Sequence, residues 1–154
     1  MVLPFPIEHG QYIRIGIYTP NEVLPYVVAP KCLLELKRSG VQRGSTEYIQ
    51  ITEHNFDGHM VKMDSQRYQL FASKGVECVG CGLKGEYFGL EKNRGQEGDR
   101  YHFNLYGQRD AVEILVTKDH IIPKSKGGQN ILDNYQVMCF NCNIEKGDSL
   151  CLCL

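Results

Sequence analysis

The sequence predicts an α+β fold, and three observations carry that expectation. Period-two alternation recurs along the chain, one helix has clear start and stop signals, and two Cys-x-x-Cys pairs stand far apart. With 154 residues, 42% of them hydrophobic and 23% charged, the chain can form one domain with a modest core or a small module with an arm. No apolar run is long enough for a membrane helix, and the composition is not that of a disordered chain. The opening MVLPFPIEHG lacks the basic flank and apolar run of a secretory signal, so a cytoplasmic location is expected.

Over residues 11–19, Ile13, Ile15 and Ile17 alternate with Tyr12, Arg14, Gly16 and Tyr18, which predicts a strand with one buried face. Pro20, Pro25 and Pro30 interrupt the next segment. Residues 31–38, between Pro30 and Gly40, fit a short helix about as well as a strand. Residues 47–52 and 59–63 alternate on either side of Asp57-Gly58, whose turn chemistry predicts a hairpin of two strands. Residues 1–63 are thus expected to form an antiparallel, β-rich N-terminal arm.

A second unit is expected over residues 64–154. Asp64 or Ser65 can cap a helix that runs to Lys74, with Tyr68, Phe71 and Ala72 at helical spacing and Gly75 placed to end it. Beyond Cys81, residues 86–90, 101–106 and 111–117 read as strands, separated by a charged, exposed loop over 91–100 and a turn over 107–110. The third strand leads into Asp119 and His120. Neither an internal repeat nor a low-complexity tract is present.

Seven cysteines are an odd number for a disulfide framework, and Cys78/Cys81 and Cys139/Cys142 form the two spaced pairs. In a reducing compartment that pattern favours metal. Zinc takes four tetrahedral ligands, and two such turns can aim four thiolates at one point. Gly80 and Gly82 permit a tight turn around Cys81, while Cys139 and Cys142 fall at a predicted helix start whose dipole favours thiolates. Four filled positions leave none open for chemistry, so a structural Zn²⁺ is expected. Four buried thiols without metal are the plainer alternative. Cys32, Cys151 and Cys153 are given no role.

The stretch from Asp119 to Gly147 carries the chemistry. Metal-assisted hydrolysis needs a base for water and a cation for the negative charge that grows on the substrate. His120 can take a proton near neutral pH. Asp119 offers a carboxylate and Asn143 an amide oxygen, the ligand type that hard Mg²⁺ or Mn²⁺ prefers. On a regular strand Asp119 and His120 point to opposite faces, so sharing a site requires the strand to end or bulge there. An isolated Asp-His pair or asparagine is ordinarily structural, and it is the joint order of residues that argues for more.

That order, DHIIPKSKGG followed by NILDNYQVM and CFNCNIEKG, resembles the motif of the HNH nucleases, the ββα-metal family. The resemblance covers residues 75–148. It implies a ββα-metal nuclease module in which His120 is the general base, Asp119 and Asn143 hold one Mg²⁺ or Mn²⁺, and the Asn134 amide holds the loop after the Gly127-Gly128 turn and orients the histidine. It also implies DNA as substrate, a product with a 5′ phosphate, and paired cysteines that brace the catalytic hairpin and helix. Lys146, one turn beyond Asn143, is placed to reach a phosphate. The chain departs from the family's name-giving pattern at Asn143, where many members carry a second histidine, which puts the metal preference in question. Such nucleases are common in phages and mobile elements.

Two other readings stand beside it: a non-catalytic, zinc-dependent DNA-binding module, and a zinc-stabilised interaction domain. A net charge of −1 gives no overall attraction for DNA, so contacts must be local. The candidates are Lys31, Lys37, Arg38 and Arg43 against Glu35, and Lys118, Lys124 and Lys126 around Asp119. Clusters of this size are ordinarily solvated faces. Nicking by one chain and double-strand cutting by a homodimer are both compatible with the sequence. His102, on a strand with Tyr101 and Phe103, reads as a half-exposed sheet residue, and His9, His54 and His59 have no identifiable partner.

Overall fold

In the computed structural model, residues 1–150 are described, so Cys151 and Cys153 lie outside the described residues. The chain begins with an antiparallel hairpin of Val2–His9 (β1) and Tyr12–Tyr18 (β2). β1 was not expected. Pro4 and Pro6 hide its pattern, and they are tolerated because β1 is the edge of the sheet, where a missing N–H breaks no ladder. β2 matches its expected span, yet Arg14 is buried as well as Ile15, so both faces of the strand are covered.

A short helix, Pro20–Val23 (α1), opens on a capping box in which the Thr19 N–H and hydroxyl both donate to Glu22. Residues that fitted helix or strand equally form a helix, Pro30–Arg38 (α2). Thr46–Thr52 (α3) corrects the expected strand over 47–52. The Ser45 hydroxyl accepts the Tyr48 N–H, and Ser45, Tyr48 and Thr52 turn inward at helical spacing while Ile49 and Ile51 face solvent. The hairpin itself exists one step later, between Glu53–Phe56 (β3) and His59–Lys62 (β4), with Asp57 and Gly58 both at positive φ in its turn. The arm is therefore a mixture of helix and strand.

Gln66–Lys74 (α4) is next, capped by Ser65 and ended by Gly75 at φ +88° as expected. The remaining strands are Tyr87–Asn93 (β5), His102–Arg109 (β6), Val112–His120 (β7) and Tyr135–Cys139 (β8), and Phe140–Lys146 (α5) comes directly after the last. β5 runs on to Asn93, so Glu91 is not in an exposed loop but fully buried. The turn after β6 is tighter than expected, with Asp110 and Ala111 at positive φ. All strands but β3 and β4 form one antiparallel sheet in the order β1-β2-β5-β6-β7-β8.

One face of this sheet, with Phe88, Leu90, Phe103, Leu105, Val116 and Val137, packs beneath Leu70 and Phe71 of α4 and accepts Ile15, Val23, Phe56 and Met63 from the first 63 residues. The core thus continues across both halves of the chain. The opposite face is polar at its centre. Arg14 Nε donates to Glu91 at 2.7 Å and its Nη1 to Glu113 at 2.8 Å, and Glu91 also accepts from Asn104 and Tyr106. Arg14 lies across Gly89, where a Cβ would stand 2.7 Å from its Nε. His9 completes the network through Glu113 and Tyr106. His54 stacks on Tyr26 and His59 meets Tyr101 edge-on, so three histidines without sequence partners have structural ones.

Candidate metal and catalytic site

The four cysteines converge. Cys78 and Cys81 sit on a tight turn after α4, where the Cys78 N–H donates to Leu83, the Gly82 N–H donates back to Cys78, and Gly82 has φ +74°. Cys139 caps α5 and accepts from the Cys142 N–H. All four sulfurs lie within 4.8 Å of one another, and Cys81 and Cys139 are 3.7 Å apart. A zinc tetrahedron with bonds near 2.3 Å has sulfur–sulfur edges of about 3.8 Å, so the cluster can hold zinc.

Its electrostatics point the same way. Burial opposes ionisation of Cys81, but the Leu83 backbone, the Arg109 guanidinium at 3.1 Å and the neighbouring thiols lower its pKa to about 6. Burial pushes the Cys139 and Cys142 thiols up. One thiolate is favoured and further ones are penalised until a cation joins them. The Val79 N–H donates to the Val137 carbonyl, so the turn is also stitched to β8. Since Asn143 is the residue directly after Cys142, whatever fixes the cluster fixes Asn143.

β7 continues without a bulge through His120, paired as Asp119↔Gln136 and His120↔Tyr135, and ends there. Asp119 and His120 therefore leave opposite faces. Asp119 is buried against α5, where its Oδ2 accepts from Gln136 at 2.9 Å and lies 3.1 Å from Lys146 Nζ. Lys146 also donates to the His120 carbonyl, and at 4% exposure it does not reach outward to a phosphate, contrary to expectation. Asn143 donates to Thr117 Oγ1 at 2.9 Å, on the Asp119 face of β7. Asp119 Oδ1 and Asn143 Oδ1 carry no hydrogen bond among the described residues. As a donor set of oxygens they fit a hard divalent cation.

His120 meets different partners. Its ring stands edge-on to Tyr135 at 4.9 Å, and its Nε2 is 2.8 Å from Asn130 Oδ1. That oxygen can accept a proton carried on Nε2, which would leave Nδ1 without one. Asn134 grips the loop rather than the ring. Its amide accepts from the Ile122 N–H and donates to the Ile122 and Gln129 carbonyls. Gly128 is obligatory here, because a Cβ would fall 1.7 Å from the Ile122 carbonyl oxygen. Asn130 was missed by sequence reasoning, as was Gln66, whose Nε2 donates to the Asn130 carbonyl while its Oε1 accepts from Tyr135. Asn130 lay inside the motif stretch and could have been tested; nothing local marked Gln66.

The stretch that holds these elements, residues 108–151, matches the family model described as HNH endonuclease. That stretch is similar to HNH endonucleases. The matched stretch contains β7, the loop after it, β8 and α5. An HNH domain implies a nucleic acid as substrate. No curated protein and no solved structure matches the chain. No helix among the described residues is long and apolar enough to cross a membrane.

Proposed function

We propose that this chain is a metal-dependent DNA endonuclease that acts in the cytoplasm of a bacterial or phage-infected cell. The observation that carries the reading is the placement of His120 and Asp119 on either side of the end of β7. In-line hydrolysis needs the base behind the attacking water and the cation beside the departing oxygen, on opposite sides of the phosphorus. A phosphodiester at the strand end meets both.

His120 Nδ1 takes the proton from water, while Asn130 on Nε2 fixes the tautomer and steadies the imidazolium that forms. Asn134 holds the loop that carries Asn130. Asp119 Oδ1 and Asn143 Oδ1 would hold Mg²⁺ or Mn²⁺, which supplies charge neutralisation at the phosphate and leaving oxygen. A structural zinc at Cys78, Cys81, Cys139 and Cys142 keeps α5, and with it Asn143, against β7.

One observation favours a second reading, a non-catalytic zinc-dependent DNA-binding module. Lys146 already stands as a cation beside Asp119. Incubating the purified protein with supercoiled plasmid and Mg²⁺, with and without chelator, separates the two. Metal-dependent nicking or linearisation supports the nuclease, nicked product pointing to single chains and linear product to a homodimer. Retardation of intact plasmid at every metal concentration would establish the binding module instead.

A further inference from the structure

Beside the His120 face of β7 lies a cleft of about 860 Å³, walled by α4, β4 and the loop before β6. Lys118 enters it two positions before His120 on the same strand face, with its ammonium 3.9 Å from the centre of the Tyr135 ring. Arg67 faces it from the first turn of α4, one residue after Gln66, which is bonded to the Asn130 loop. Lys124 lies in the loop just beyond His120. Among the described residues, none of these three cations has a carboxylate within ion-pair distance. Arg67 and Lys118 thus line one cleft with no carboxylate paired to either among the described residues. An arginine in the first turn of a helix is also opposed by the helix dipole. That arrangement is unfavourable alone and becomes favourable around an anion.

The cleft continues outward past Tyr101 to Arg100 and to Lys62 of β4. Its acidic lining residues are Glu53, Asp64 and Asp99, and the Asp64 carboxylate accepts from Tyr48. Arg67, Lys62 and Arg100 all lie outside the segment matched to the HNH family.

We propose that Arg67 and Lys118 form a subsite for the backbone phosphate next to the scissile one, and that the cleft leads the same DNA strand outward past Arg100. This rests on the nuclease reading and deepens it. It gives α4 and β4 a share in gripping the substrate that the HNH segment does not supply. Specificity for bases is not part of this subsite; it positions the strand so that the next phosphate falls at the end of β7.

The test uses the full chain with His120→Ala, so that binding is read without cleavage, and measures the affinity for a short DNA duplex across a salt series. Each phosphate contact contributes about 0.9 to the slope of log affinity on log salt. Arg67→Gln and Lys118→Gln should each lower affinity severalfold and flatten the slope by about 1, with zinc content retained, although Arg67→Gln also loses a hydrogen bond to the Phe103 carbonyl. Arg100→Gln, an exposed position with no folding role, should do the same to a smaller extent. Lys31→Gln, on α2 and outside the cleft, serves as control and should change neither quantity. If wild type cleaves plasmid but the Arg67, Lys118 and Arg100 variants keep the parent slope and affinity, the subsite is wrong and the nuclease reading stands. If wild type neither cleaves nor binds DNA, the nuclease reading itself is wrong and the subsite falls with it.

Discussion

Lys146 Nζ lies 3.1 Å from Asp119 Oδ2 and donates to the carbonyl oxygen of His120 at 2.9 Å. One buried ammonium thus ties α5 to both residues at the end of β7. Removing it in Lys146→Met leaves Asp119 as an uncompensated buried charge, a loss of about 3–5 kcal/mol. If Asp119 also holds a divalent ion, Mn²⁺ should restore part of that loss. Thermal melts of the variant with and without Mn²⁺ measure it, and a melt indifferent to Mn²⁺ would remove Asp119 from the ligand set.

Zinc removal should unfold the chain before it affects chemistry. Cys78→Ser or Cys142→Ser deletes one buried ligand of four and should cost several kcal/mol, because binding and folding are coupled in such sites. Elemental analysis should find one zinc per chain in wild type. A zinc-free wild type that melts like a Ser variant would overturn the structural metal.

The base can be separated from binding. His120→Ala should slow cleavage by about two to four orders of magnitude with unchanged melting and DNA affinity. Asn130→Ala should slow it less, because the ring loses the partner that fixes its orientation. Equal activity of His120→Ala and wild type would send the search to another base.

Asn143 should set metal choice. Oxygen ligands suit Mg²⁺ and Mn²⁺, whereas imidazole draws a site toward Co²⁺ and Ni²⁺. Asn143→His is expected to keep some activity with its preference moved that way, and Asn143→Ala to lose most activity with every ion. A metal panel on the three proteins reads this directly. Full Mg²⁺ activity in the alanine variant would leave Asn143 as a helix residue beside the zinc.

The polar network under β2 should make stability depend on acid pH. Burial raises the Glu113 carboxyl, but hydrogen bonds from Arg14 and Tyr87 and the nearby charges of Arg14 and His9 outweigh it and hold the group below the usual glutamate range. A depressed folded pKa means that the contribution is complete above the unfolded value near 4.3 and is lost as pH falls below it. Melting temperature should therefore drop below about pH 4 in wild type. Arg14→Met, which strands the fully buried Glu91, should melt lower at neutral pH and show a shallower acid dependence. Parallel profiles for the two proteins would show that the network does not couple to pH through Glu113.

Local signals determined a good part of this molecule. Ser65 and Gly75 bracket α4 because capping and positive φ are decided within a few residues. Asp57-Gly58 places its turn for the same reason, and the spacing of two cysteine pairs was enough to expect a metal cluster. The strand, loop and helix of the segment from Asp119 to Gly147 were implied by its resemblance to the HNH motif. The partners of buried charge were decided only by tertiary structure. Glu91 belongs to a charged stretch that reads as solvent-exposed, and it is buried because Arg14, 77 positions away, crosses Gly89 to meet it. Residues 47–52 alternate like a strand, yet the Ser45 cap and the inward Tyr48 and Thr52 make a helix the better packing solution. Lys146 looks like a surface lysine until β7 presents Asp119 to it. Whether a charge faces water or a partner depends on which strands become neighbours, and that is a non-local property of the chain.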